Sequence, residues 1–323
     1  MPQMTETYAA ALVDALHDAL STDRRVGLIG SHVLGLGPQR NLMDRIRQDF
    51  ADRIVDPPTA EAGVAAAGAG AAMAGARPFV DLGTAAFSFL AWTQLVNEAA
   101  VAHYMTAGRV SVPVTYHMLH GVRGGGAAQH SQSPQAMLWN APGLEIVLPA
   151  TPADAYGLTR TALASPNPTV LLSHAKLLGI EGPRRREAIP FGQADIKRRG
   201  RDITIVANSL MVHYALQAAE TLAAEGIEAE IVDPRTLVPL DEATILASVE
   251  RTGRLVVVDE CPLRGGVASE IAATVAERGF HLLRAPIQRV ARADTPIAFA
   301  ELQEAFVTPD AGKIAAAVRR VLA

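Results

Sequence analysis

A single cysteine, Cys261, stands in a chain of 323 residues, so no disulfide can close within it. Aromatic residues are scarce, at 5%. The longest apolar run, 62–76, is mostly Ala and Gly and falls short of the about 20 strongly apolar residues of a membrane span. It is expected to form a buried helix. Neither charge sign dominates: Lys+Arg 29 against Asp+Glu 33 leaves a net charge of −4, which argues against a nucleic-acid binder, since that function concentrates cations on one face. With 49% hydrophobic and 19% charged residues the chain is not disordered either. The start Met1-Pro2-Gln3-Met4-Thr5-Glu6 has neither the cationic region nor the apolar core of a secretion signal, and the expectation is a cytoplasmic protein.

Two kinds of site are missing as well. Gly68, Gly70 and Gly75 fall inside the Ala-rich helix instead of between a strand and a helix, and no G-x-x-x-x-G-K-[ST] occurs, so nucleotide-phosphate loops are excluded. His117 and His120 are three apart, but no Cys, Asp or Glu nearby completes a ligand set, and no metal held mainly by this chain is expected.

What is present is an alternation of short apolar runs with helix-period segments. Helices are predicted over 5–20, 41–50, 62–76, 90–106 and 153–164, and strands over 26–29, 78–82, 112–118, 145–148 and 169–172. The rhythm breaks over 176–201, where Gly179, Gly182, Pro183, Arg184-Arg185-Arg186 and Lys197-Arg198-Arg199 read as an exposed linker. A second alternation follows: strands 203–207, 228–232 and 255–259, and helices 212–224, 241–250, 267–277 and 313–322. The fold class is therefore α/β in two domains, the first built on a parallel sheet covered on both faces.

Two segments point to chemistry. In Asp56-Pro57-Pro58-Thr59-Ala60-Glu61-Ala62-Gly63 two prolines deliver one carboxylate to the first turn of the small-residue helix. Glu61 has two open readings: complement to the helix dipole, or carboxylate beside a bound group that small neighbours leave accessible. In Ala127-Ala128-Gln129-His130-Ser131-Gln132-Ser133-Pro134 small residues present a histidine at a loop end. His130 is either a surface histidine with local hydrogen bonds or a proton-transfer group with room for substrate. His17, His103, His174 and His213 sit in helical or strand patterns and read as structural, and Cys261 has no adjacent base.

Read together, T-A-E-A-G (59–63), A-A-Q-H-S-Q-S (127–133), A-P-G-L-E-I-V-L-P-A-T-P-A-D-A (141–155), D-P-R-T-L-V-P-L-D (233–241) and G-R-L-V-V-V-D-E (253–260) resemble the β subunits of thiamine-diphosphate-dependent 2-oxo acid dehydrogenases of the pyruvate and branched-chain type, in the transketolase superfamily. The resemblance runs over nearly the whole chain. It implies a pyrimidine-binding domain over 1–175, a linker over 176–200 and a transketolase C-terminal-type domain over 201–323. It further implies an α subunit that holds the diphosphate and Mg2+ through a G-D-G…N motif absent from this chain, a heterotetramer, and a lipoyl acyltransferase core as a further partner.

By the same resemblance Glu61 is catalytic and cofactor-binding, sharing a proton with the aminopyrimidine ring nitrogen. His130 is catalytic near the reacting carbon, and Phe87 is a cofactor-binding wall whose alternative is core packing. The expected reaction is decarboxylation of a 2-oxo acid with acyl transfer to a lipoyl domain. Acyloin-forming or transketolase-like two-carbon transfer with a separate α subunit, and a non-catalytic scaffold, are the competing readings. Two departures bear on this choice: Gly30-Ser31-His32 replaces the usual acidic pair, and His117-Met118-Leu119-His120-Gly121 replaces R-x-P-x-G.

Overall fold

A computed structural model describes residues 4–30 and 40–323. Ser31 and His32 lie outside them. The chain divides into two compact units, one of Met1–His120 with Leu138–Phe191, the other of Gly121–Met137 with Gly192–Ala323.

In the first unit six strands lie side by side in the order Glu145–Val147, Thr169–His174, Thr115–His120, Arg77–Thr84, Val26–Ile29 and Ile54–Val55. Every pairing among them is parallel. Thr115–His120 and Thr169–His174 are buried at every position, so neither alternates between a covered and an exposed face, and the polar residues they carry are enclosed with them. The helix Tyr8–Thr22 begins where Thr7 Oγ1 accepts Ala10 N at 3.2 Å, and it packs on Pro152–Ala164, which opens with a reciprocal Thr151–Asp154 capping box. Arg77 donates to the Leu163 and Ser165 carbonyls at 3.0 and 2.9 Å, neutralising the end of that second helix.

The Ala/Gly helix spans Glu61–Met73. Its expected full burial is corrected: Val64, Ala65, Gly68, Ala69 and Ala72 are buried, whereas Gly63, Ala66, Ala67, Gly70 and Met73 are exposed. Small side chains serve the two faces differently. A Cβ on Gly68 would stand 2.4 Å from Val80 Cγ2, so the helix reaches the sheet only with glycine there, while a Cβ on Gly70 would meet nothing within 4 Å. The helix predicted over 90–106 is also corrected, being broken into a 3₁₀ stretch Ala85–Ala91, a π-helical stretch Thr93–Ala99 and a short helix Ala102–Met105.

The second unit holds a five-stranded sheet in the order Gln288–Arg292, Leu255–Pro262, Ile203–Ala207, Ala229–Asp233 and Asp195–Arg198. The first four are parallel and the last is an antiparallel edge strand, drawn from the stretch that reads as linker. Helices Leu210–Ala223, Glu242–Thr252, Val267–Gly279 and Ala311–Leu322 accompany it. Asp241 and Asp310 cap two of these at their starts, and Gly253, with φ 70°, ends one in the left-handed conformation. No helix among the described residues is long and apolar enough to cross a membrane.

Candidate active site

Glu61 is the first residue of the small-residue helix in the first unit, after Ala60, whose side chain offers no cap. It is half-buried, and among the described residues its carboxylate has no hydrogen bond or ion pair. Its flanking residues Ala60, Ala62 and Gly63 are small, and a Cβ on Gly63 would meet only the Ala60 methyl, at 3.8 Å. Phe87 lies half-buried in the 3₁₀ stretch Ala85–Ala91, which packs on that same helix.

His130 belongs to the second unit. It ends a single helical turn, Ala127–His130, and is exposed. The glycine run before it has a geometric purpose: Gly124 and Gly125 take φ of 76° and 77°, and a Cβ on Gly126 would stand 2.4 Å from Ser131 Oγ. Ala127 follows at φ 52°, a conformation that non-glycine residues rarely adopt and that clusters at functional sites.

This loop is fastened to the carboxyl end of Leu255–Pro262 by two buried acids. Glu260 Oε1 accepts Val122 N at 2.7 Å and Ser133 Oγ at 3.3 Å, and Asp259 Oδ1 accepts Gln135 Nε2 at 3.1 Å and Asn208 Nδ2 at 3.0 Å. Cys261 Sγ adds a contact to the Ser133 carbonyl at 3.1 Å, and burial pushes its thiol well above the ordinary range, which suits packing and not nucleophilic chemistry. Sequence reasoning used G-R-L-V-V-V-D-E as a motif without giving its acids a role. The available signal was two carboxylates closing an otherwise apolar strand, a costly placement unless each is hydrogen-bonded.

A second group of polar residues is not legible as a group in the sequence, where His117 stands out but its partners Asp81 and Ser173 do not. In the first unit Asp81, His117 and Ser173 face the same side of three adjacent strands, because Asp81 pairs with His117, His117 with Leu171, and Ser173 stands two residues beyond Leu171. His117 Nδ1 is 3.1 Å from Asp81 Oδ1, and its Nε2 is 3.1 Å from Ser173 Oγ, which in turn accepts the Tyr8 hydroxyl at 2.8 Å. Burial raises the Tyr8 phenol far above its usual range, so it stays a donor. The order Asp–His–Ser resembles a nucleophile triad, but all members are buried and no substrate reaches them. Elsewhere His17 Nε2 lies 2.9 Å from Asp49 Oδ2, and His103 Nδ1 2.9 Å from the Val110 carbonyl. Among the described residues no group of three or more His, Cys, Asp or Glu side chains is placed to hold a metal ion.

Residues 5–180 match the transketolase pyrimidine-binding domain, and residues 192–314 match the transketolase C-terminal domain. The chain is 40% identical to the acetoin:2,6-dichlorophenolindophenol oxidoreductase subunit beta of Cupriavidus necator, over 97% of this chain and 96% of that one. It is 38% identical to the pyruvate dehydrogenase E1 component subunit beta of Rickettsia conorii, over 98% of each. The chain belongs to the E1 β-subunit family of the transketolase superfamily. Among solved structures, a split gene transketolase described as an inactive beta4 tetramer shares the fold, with a TM-score of 0.80, 24% identity and coverage of 97% and 96%.

Membership in the E1 β family ties the chain to thiamine-diphosphate-dependent chemistry and bears out both the two-domain α/β reading and the resemblance in the sequence. The pyrimidine-binding match contains Glu61 and Phe87 as well as His130, whereas by compactness the His130 loop groups with the second unit.

Proposed function

We propose that this chain is the β subunit of a thiamine-diphosphate-dependent 2-oxo acid dehydrogenase, working with an α subunit to decarboxylate a 2-oxo acid and pass the acyl group to a lipoyl domain. The observation that carries this reading is Glu61: a half-buried carboxylate at the start of a small-residue helix, with no hydrogen-bond or ion-pair partner among the described residues and only small side chains flanking it. Those features fit an aminopyrimidine ring. When bound, thiamine diphosphate supplies a carbon nucleophile and a sink for the electron pair left by decarboxylation.

On this reading Glu61 holds and returns a proton at the aminopyrimidine ring nitrogen, and the Phe87 ring excludes water beside it. His130, on a turn whose shape its glycine run permits and which Glu260 fastens, orients the substrate and exchanges a proton with it. Mg2+ and the diphosphate are assigned to the α subunit, since this chain has no G-D-G. The scaffold reading is disfavoured because Glu61 and His130 are both retained.

A second reading, two-carbon transfer involving an acyloin, draws support from the 40% identity to the acetoin oxidoreductase β subunit. One experiment separates the two. The chain is co-purified with an α subunit and given pyruvate or branched 2-oxo acids together with a lipoyl domain, or acetoin with a dye acceptor. Mass spectrometry then follows acylation of the lipoyl domain. Acylation dependent on a 2-oxo acid supports the first reading, and dye reduction by acetoin alone supports the second.

A further inference from the structure

At the carboxyl ends of Leu255–Pro262 and Gln288–Arg292 the second unit contains a cavity of about 530 Å³. Ligands of open α/β sheets bind at this edge. Arg292, the last residue of its strand, lines the cavity although it is only 7% exposed. Its Nη1 donates to the Thr295 carbonyl at 2.7 Å, and its Nε has no partner among the described residues.

Burial of an arginine is costly unless a carboxylate closes on it. Here none does. Asp259, Glu260 and Asp294 attract Arg292 through space, but none reaches ion-pair distance of its guanidinium among the described residues. Asp259 and Glu260 accept bonds from the loop that carries His130, and Asp294 faces Arg264, accepting its backbone N at 3.0 Å and lying 3.6 Å from its Nε. An arginine remains charged throughout the accessible pH range. The cavity thus holds a buried, under-bonded cation.

The other walls choose the class of anion. Pro262, Pro296 and Ile297 are apolar, and Arg264 is already balanced by Asp294. Asp294 (held by Arg264), Thr295, and Ala128 and Gln132, which flank His130 in sequence, complete the lining. Among the described residues Arg292 is the lining cation without a carboxylate at ion-pair distance, and a single guanidinium beside the apolar Pro262, Pro296 and Ile297 suits a monoanion with a small hydrocarbon part better than a phosphate, which demands more donors.

We infer that this cavity is a binding site for a short-chain monocarboxylate, with its carboxylate on Arg292 and its hydrocarbon part against Pro262, Pro296 and Ile297. The site rests on the second unit alone and is independent of the reading given to Glu61.

The test is calorimetric titration of the full chain with isobutyrate, and separately with phosphate, against chloride at matched ionic strength. Isobutyrate is expected to bind once per chain. Arg292→Gln should weaken it about tenfold or more, the loss that a charge-assisted hydrogen bond predicts. Arg292→Lys keeps the charge but lacks the planar fork, and is expected to weaken binding measurably while circular dichroism stays native. Arg264→Gln should change affinity much less. Wild-type chain that fails to bind isobutyrate, or a folded Arg292→Lys or Arg292→Gln chain that binds like wild type, overturns the site. Saturation by phosphate without saturation by isobutyrate overturns the carboxylate assignment.

Discussion

His117 Nδ1 lies 3.1 Å from Asp81 Oδ1, and neither side chain reaches solvent. With Ser173 and Tyr8 the pair forms one directional chain: the Tyr8 hydroxyl donates to Ser173 Oγ, Ser173 to His117 Nε2, and His117 Nδ1–H to Asp81. Asp81 Oδ1 also accepts Gly83 N at 3.2 Å. His117 is the first residue of the segment that departs from R-x-P-x-G, so the departure carries its own buried partner.

Truncating either member should therefore leave a buried polar group stranded. Asp81→Ala and His117→Ala are each expected to cost about 3 kcal/mol. The double variant should cost less than the sum of the two, because the second truncation removes a group already orphaned by the first. Calorimetric melting of the four chains measures this coupling, and strictly additive shifts would show that the two side chains do not interact.

Glu61→Gln should fold and assemble normally yet lose most activity, since the amide is nearly isosteric but cannot exchange a proton with the aminopyrimidine. Circular dichroism, light scattering and steady-state turnover with the α subunit check the three parts. Wild-type turnover would return Glu61 to the role of a dipole complement.

The two faces of the helix Glu61–Met73 predict opposite outcomes. Ala69 is buried against its own unit, and Ala69→Leu should destabilise the isolated chain by about 1–3 kcal/mol through overpacking. Gly70 faces open space, so Gly70→Leu should leave the isolated chain folded. If this small-residue face meets a neighbouring subunit in a heterotetramer, the same variant should fail to assemble. Light scattering beside circular dichroism reads both, and a Gly70→Leu complex of normal size would place the interface elsewhere.

Alone, the chain should bind thiamine diphosphate weakly, because no G-D-G motif is present to hold the diphosphate and its metal. Titration with and without the α subunit, in the presence of Mg2+, tests the split site. Micromolar affinity in the isolated chain would contradict it.

Local pattern made much of the fold legible. Buried parallel strands such as Leu255–Pro262, with its run Leu255-Val256-Val257-Val258, and Ile203–Ala207 are mostly apolar, and helices such as Pro152–Ala164 carry their start signals in sequence, so their place along the chain follows from short-range chemistry. The short quoted motifs likewise made Glu61 and His130 the candidate site residues. Long-range packing decided the rest. The helix expected over 90–106 broke into 3₁₀, π and α stretches although its apolar spacing is helical, because tertiary context overrides propensity. Asp195–Arg198 became an edge strand from a segment whose charge reads as solvated linker. The buried Asp81–His117–Ser173 chain, the acids that fasten the His130 loop, and the under-bonded Arg292 join residues from 30 to more than 100 positions apart. Their meeting depends on strand register and order, and no periodicity within one segment encodes which strands become neighbours.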